Sequence, residues 1–108
     1  MTQTATPATI NHPEALTLEQ INHQLNAMDS NWELVNQGVL KKSWFFADFH
    51  HTMAFVNAIA WIAHQENHHP DLEISYNACH VSLTTHALNG LSAHDFSLAT
   101  RIDALKAR

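Results

Sequence analysis

The chain has 108 residues, enough for one hydrophobic core but not for two, and its 45% hydrophobic share is ordinary for a globular domain. Five lysines and arginines against ten aspartates and glutamates give a net charge of −5 with the histidines neutral. This balance argues against a nucleic-acid or anionic-membrane partner, and no apolar run approaches the roughly 20 residues of a membrane helix.

The first segment of the chain shows little periodicity. Residues 1–14 are rich in threonine and alanine and contain two prolines, so we expect a flexible tail before a single domain at 15–108. Thr17 and Gln20 have the spacing of a capping box and precede apolar residues at mostly helical intervals. A helix is therefore predicted over about 17–28.

A β-hairpin is predicted next. Residues 32–35 are typical of a short strand, and residues 39–46 alternate between the two faces of a second strand. The turn between them is Asn36-Gln37-Gly38, whose glycine is able to take a positive φ.

The longest predicted helix covers about 48–67 and begins at Asp48, a favourable N-cap. Its apolar residues form two neighbouring stripes that together cover close to half of the circumference, which predicts a well-buried helix. Trp61 lies on the other face, where it indicates a subunit interface or a pocket wall. Pro70 is expected to end the helix and to turn His69 away from its axis.

Two strands, about 73–76 and 80–85, and a last helix follow. Ser92 is the expected cap of that helix, with Asp95 three residues later. The order α-β-β-α-β-β-α, without a long crossover between parallel strands, predicts an α+β fold. In this fold a four-stranded antiparallel sheet carries the helices on one face.

Histidine is the unusual residue of this composition, with ten copies. His68 and His69 lie at the end of a predicted helix, where the helix dipole favours the imidazolium form, and His86 follows a separate strand. Imidazoles titrate near neutral pH, so a converging set can act as general acid and base. The competing interpretation is that both members of the pair only cap helix carbonyls.

A metal site is the second chemical hypothesis. His64 and His68 are four residues apart on a helix and could bind zinc from one face, with His69 beside them. The usual partners are missing: Cys79 is the single cysteine, and no His-Glu-x-x-His motif is present. The other histidines are expected on solvated surfaces or, for His80, on a strand face; these surface residues are His12, His23, His50, His51 and His94.

Several of these motifs together resemble the pterin-4a-carbinolamine dehydratase family. The resemblance covers roughly residues 16–105 and rests on this set: Trp32, Phe46-x-Asp48-Phe49, His68-His69-Pro70, Tyr76-Asn77, Thr84-Thr85-His86, and Gly90-Leu91-Ser92 with Asp95. It implies dehydration of 4a-hydroxytetrahydropterin to quinonoid dihydropterin, which recycles the pterin cofactor of aromatic amino acid hydroxylases. It also implies that neither a metal nor a bound cofactor is needed.

The resemblance assigns catalysis to His68, His69 and His86, with His69 and His86 flanking the hydroxyl-bearing face of the substrate. The backbone of Thr84-Thr85-His86 would hold the edge of the heterocycle. The full set of implied substrate contacts is Asn67, His68, His69, Pro70, Thr84, Thr85, His86 and Asp95.

Four positions depart from the family pattern. Asn67 replaces an aspartate, His64 a glutamate, Leu72 an aromatic residue and Ala87 an acid. These departures motivate an alternative function, a catalytically weak pterin-binding or regulatory module. The resemblance further implies a homodimer or homotetramer, and the single thiol of Cys79 fits a cytoplasmic protein.

Overall fold

The computed structural model describes residues 14–28 and 31–106 and has the predicted order α-β-β-α-β-β-α. The predicted tail lies almost wholly outside the described residues and stays a prediction. Within the described residues, no helix is both long and apolar enough to span a membrane. The elements are α1 (Leu18–Ala27), β1 (Glu33–Val35), β2 (Val39–Phe45), α2 (Phe49–Glu66), β3 (Asp71–Ser75), β4 (Ala78–Leu83), a 3₁₀ helix (His86–Leu88) and α3 (Ala93–Lys106).

The four strands form one antiparallel sheet in the order β1-β2-β4-β3. Leu40 pairs with Leu83, and Trp44 pairs with Cys79, and all four side chains are buried. Phe45, the next residue along β2, is 65% exposed. One face of the sheet therefore packs against the helices, as the α+β interpretation predicts, and burial there raises the pKa of the Cys79 thiol.

The first helix and the first hairpin follow local signals, with one exception. Thr17 and Gln20 form the predicted capping box, each side chain accepting the other's backbone N–H. In the hairpin turn the positive φ values belong to Asn36 (52°) and Gln37 (60°), not to Gly38. The predicted turn is present, but its glycine does not use the ability to adopt a positive φ. Gly38 instead lies close to another backbone, since a Cβ there would be 3.6 Å from the Cα of Gly90.

A second difference concerns the later strands. β3 begins at Asp71, two residues before the predicted start, and β4 covers Ala78–Leu83 instead of residues 80–85. Extending β3 back to Asp71 lets that residue pair with Ser82 across the ladder. Backbone pairing with β4, which a single-strand pattern does not contain, sets these bounds.

The last helix is tied to the hairpin by a polar contact at the edge of the core. Asp103 accepts hydrogen bonds from Trp32 Nε1 (3.0 Å) and Lys42 Nζ (2.7 Å). The Lys42 ammonium also lies 5.0 Å from the centre of the Trp44 ring, within the range of a cation–π contact. Lys42 and Asp103 are largely buried, with side chains 18% and 22% exposed.

We expect Asp103→Ala to lower the free energy of unfolding by about 1–3 kcal/mol, because it leaves two largely buried donors without their acceptor. Asp103→Asn should cost less, since its amide oxygen can still accept one of the two bonds. Urea unfolding followed by tryptophan fluorescence measures both. Glu14→Ala, an exposed control, should change the free energy by less than about 0.5 kcal/mol; equal effects at Asp103 and Glu14 would contradict the assignment.

The cap of α2 gives a pH-dependent prediction. The Asp48 carboxylate accepts the backbone N–H of His51 (2.8 Å) and contacts His51 Nδ1 (2.7 Å). These hydrogen bonds, assisted by the charge on His51, hold the pKa of Asp48 below its ordinary value. A carboxyl with a lowered pKa stabilises the fold above its unfolded pKa of about 3.9 and loses this effect as the pH falls through the folded value.

Asp48→Ala should therefore be less stable than the wild type near pH 6, and the difference should shrink as the pH falls below about 4. Chemical unfolding of both proteins at a series of pH values measures the difference. A difference that stays constant over this range would show that the charge of Asp48 does not contribute.

Candidate active site

The C-terminal end of α2 fixes the direction of the two histidines that follow it. Asn67 adopts the left-handed conformation (φ 53°, ψ 42°), and its N–H reaches the carbonyl of His64. The N–H of His68 bonds to the carbonyl of Ala63 at 3.1 Å, completing a Schellman motif. The helix thus ends at Asn67 and not at Pro70, because asparagine accepts this conformation more readily than most residues.

The side chain of His68 contacts the first turn of α3. Its Nε2 lies 2.5 Å from Oδ1 of Asp95, and the two side chains are 14% and 0% exposed. The other carboxylate oxygen, Oδ2, accepts hydrogen bonds from Thr85 Oγ1 (2.7 Å) and the N–H of Ser92 (2.9 Å). A buried carboxylate is costly unless it is paired and hydrogen-bonded. Asp95 has such partners from three separate segments.

The beginning of α3 explains why Asp95 is in this place. Ser92 and Asp95 make the predicted cap, since the Asp95 carboxylate accepts the N–H of Ser92 and the Ser92 hydroxyl accepts the N–H of His94 at 3.3 Å. A negative charge in the first turn is also favoured by the helix dipole. One carboxylate therefore begins the helix and holds His68.

The third predicted histidine is not at a strand tip. β4 ends at Leu83, Thr85 forms an isolated antiparallel bridge with Gly90, and His86 opens the 3₁₀ helix. This short helix leaves the His86 side chain 76% exposed, with Nε2 3.7 Å from Oδ2 of Asp71. The sequence pattern does not reveal this 3₁₀ helix, because a three-residue helix has no periodicity to detect.

The segment His69-Pro70-Asp71 connects two histidine–aspartate pairs. The pair of His68 and Asp95 is buried, whereas that of His86 and Asp71 is exposed, with side chains 76% and 72% accessible. His69 lies between His68 and Asp71 in the chain and is exposed. The arrangement offers one oriented imidazole and two that solvent can reach.

The two threonines before His86 direct their hydroxyl groups into the protein. Thr84 Oγ1 donates to the carbonyl of Gly38 at 2.6 Å, and Thr85 Oγ1 contacts Asp95. The backbone of Thr85 is also occupied, because its N–H bonds to Gly90 and its carbonyl accepts from Leu88.

The metal hypothesis required His64, His68 and His69 to converge. His64 is exposed, and its ring lies 6.4 Å from that of Trp61. Across residues 14–28 and 31–106, no three histidine, cysteine, aspartate or glutamate side chains are arranged to hold a metal ion. The predicted trio therefore does not form a metal-binding group.

Two residues of the site were not singled out from the sequence. Asp71 contacts His86, and Ser92 supports the carboxylate of Asp95 as well as capping α3. The signal for Asp71 is its position directly after His68-His69-Pro70. For Ser92 the Ser-x-x-Asp spacing was noted only as a helix cap.

Comparisons with known proteins identify the family of the chain. The family model described as pterin 4 alpha carbinolamine dehydratase matches residues 14–105. Two curated relatives are named "Putative pterin-4-alpha-carbinolamine dehydratase". The protein from Legionella pneumophila (strain Lens) is 53% identical over 84% of this chain and 81% of its own. The protein from Nitrosomonas eutropha is 42% identical over 83% of this chain and 79% of its own.

Solved structures show the same fold. The crystal structure of a transcriptional coactivator/pterin dehydratase from Brucella melitensis has a TM-score of 0.78 and 32% identity, covering 84% of this chain and 97% of that one. A pterin dehydratase-like protein identified as a RuBisCO assembly factor in the alpha-carboxysome has a TM-score of 0.61. At 23% identity over 71% of this chain and 90% of that one, it is similar in fold alone. The family match and the curated relatives cover most of the sequence, and the chain therefore belongs to the pterin-4a-carbinolamine dehydratase family.

Proposed function

We propose that this protein dehydrates 4a-hydroxytetrahydropterin to quinonoid dihydropterin by histidine acid–base catalysis. Loss of water from the carbinolamine requires a proton on the oxygen that leaves C4a and removal of a proton from a ring nitrogen. The observation that supports the proposal is the pair of histidine–aspartate contacts on either side of His69, in a chain of this family. Imidazoles can carry both proton transfers near neutral pH.

His69 and His86 are the proposed proton-transfer groups. Both side chains are exposed, so a substrate arriving from solvent can reach them. Oδ2 of Asp71 lies 3.7 Å from Nε2 of His86, and both side chains stay exposed to solvent. We assign His86 the role of acid toward the leaving hydroxyl, with His69 as its partner in the proton transfer.

His68 is proposed to orient the substrate or to donate a proton from a fixed ring. Its contact with Asp95 restricts the imidazole, and preorganised groups contribute more to catalysis than mobile ones. Asp95 has no exposed surface and acts through His68. Asn67 and Pro70 remain proposed substrate contacts. The hydroxyl groups of Thr84 and Thr85 point inward, and the backbone of Thr85 is bonded to Gly90 and Leu88, so the backbone groups of Thr84 and His86 are proposed to contact the heterocycle.

The metabolic role, the location and the oligomeric state are also proposed. The reaction would recycle the pterin cofactor of aromatic amino acid hydroxylases, in the cytoplasm and without a metal or bound cofactor. A homodimer or homotetramer is supported by Trp61, which is 62% exposed on the face of α2 opposite the core. Exposed large aromatic side chains of this kind are common at subunit interfaces.

We expect His69→Ala and His86→Ala each to lower the dehydration rate by about 10²–10⁴-fold, the usual contribution of a general acid or base. Synthetic carbinolamine, assayed across pH beside the wild type, gives the rates, and circular dichroism gives the fold. His50→Ala is the matched control, because His50 is an exposed histidine of α2. Full activity in both active-site variants, or an equal loss in His50→Ala, would refute the proposal.

The two aspartates should differ in stability. Asp95→Ala leaves Thr85, Ser92 and His68 without a buried acceptor, so we expect a loss of about 3–5 kcal/mol in the free energy of unfolding. Asp71→Ala removes an exposed contact of 3.7 Å and should cost less than about 1 kcal/mol. Urea unfolding of both variants measures the difference, and similar losses would contradict the structural distinction between the two pairs.

A further inference from the structure

The hydroxyl groups around Asp95 form a directed chain of hydrogen bonds. An ionised carboxylate only accepts, whereas each hydroxyl donates a single hydrogen. Thr85 Oγ1 lies 2.7 Å from Asp95 Oδ2 and 2.8 Å from Ser92 Oγ. Its single hydrogen can be donated to only one of these two oxygens. The carboxylate is the stronger acceptor. Thr85 therefore donates to Asp95, and Ser92 donates to Thr85.

The chain continues into the backbone of α3. The Ser92 hydroxyl accepts the N–H of His94 at 3.3 Å while donating to Thr85. Hydrogen bonds linked in this way polarise one another in the same direction. The chain ends on Oδ2 of Asp95, which leaves Oδ1 for His68.

The same donor rule determines the tautomer of His68. Because both oxygens of an ionised Asp95 are acceptors, the hydrogen between Oδ1 and the ring belongs to Nε2 of His68. Neutral His68 then has its lone pair on Nδ1. Within residues 14–28 and 31–106 the structure shows no hydrogen-bond partner for this nitrogen.

We propose that the Thr85 hydroxyl is a positioning group that locks Asp95 and thereby presents Nδ1 of His68 to the pterin. The presentation to a pterin rests on the proposed function, whereas the tautomer does not. Nδ1 accepts a hydrogen bond or proton from the substrate when His68 is neutral and donates one when the ring is protonated. Thr85 itself contacts no substrate atom through its side chain.

Loss of the Thr85 hydroxyl should disturb His68 without removing any residue that contacts it. Asp95 Oδ2 would keep only the N–H of Ser92, and the Ser92 hydroxyl would lose its acceptor in a fully buried place. Rotation of the Asp95 carboxylate toward Ser92 would give the Ser92 hydroxyl a new acceptor. The same rotation would move Oδ1 away from His68. The expected effect is therefore on the orientation and tautomer of His68, which is connected to Thr85 only through Asp95.

The test uses Thr85→Val, which keeps the shape and lacks the hydroxyl, and Thr85→Ser, which keeps the hydroxyl. Thr100→Val is the matched control, because the Thr100 hydroxyl bonds to the carbonyl of Phe96 within α3 and is remote from Asp95 in the hydrogen-bond network. Long-range ¹⁵N–¹H correlation spectra of protein labelled in its histidines report each tautomer. The signals of His68 are identified by their absence in His68→Gln.

We expect His68 to carry its hydrogen on Nε2 in the wild type, in Thr85→Ser and in Thr100→Val, and to show mixed tautomers in Thr85→Val. The value of kcat should fall roughly 10- to 100-fold in Thr85→Val, the effect of one hydrogen bond to a charged group. KM should change less than about threefold, and Thr85→Ser should restore most of kcat.

In the wild type, a neutral His68 ring that carries its hydrogen on Nδ1 and not on Nε2 overturns the inference. Unchanged tautomer and kcat in Thr85→Val overturn it as well. If the wild type does not dehydrate the carbinolamine, the proposed function fails, and the tautomer spectra still decide the role of Thr85. If the wild type is active and the neutral ring of His68 carries its hydrogen on Nδ1, the inference alone fails.

Discussion

The structure depends on one buried histidine–carboxylate hydrogen bond, between His68 at the end of α2 and Asp95 at the start of α3. A carboxylate without exposed surface is tolerated only where its donors are fixed, so the contact requires both helix ends and the segment after β4 to be in place together. Outside this contact, Glu66 bonds to Ser97 and Arg101 and joins the same two helices in the solvent-facing layer. The relative position of the helices and the orientation of one imidazole are thus set by the same group.

The site combines a buried and an exposed histidine–aspartate pair within a short length of chain. His68 is enclosed and oriented, whereas His86 is exposed and has an aspartate at 3.7 Å. His69 lies between them without burial. Under the proposed function, one fixed and two solvated imidazoles would let side chains of one chemical type take different parts in the proton transfer.

Local signals predicted the fold well, because they act within a few residues. The capping box of Thr17 and Gln20 and the cap of Asp48 each need only their own helix, and the alternation in β2 needs only its own strand. The geometry of the site was harder to predict from the sequence, because it depends on contacts between distant residues. Whether Asp95 faces solvent or His68 depends on the packing of residues 27 positions apart, and neither composition nor spacing contains that information. The assignment of catalysis to His68, His69 and His86 came from family resemblance and remains a proposal.

The left-handed Asn67 has a consequence for how this site can vary. The turn after α2 is made by backbone hydrogen bonds from Asn67 and His68. Residue 67 therefore needs only to adopt the left-handed conformation, which asparagine adopts easily. A charge can be gained or lost on that exposed side chain while the polypeptide path into the imidazoles stays the same. Evolution is therefore free to adjust the electric potential at the rim of the site independently of its internal architecture.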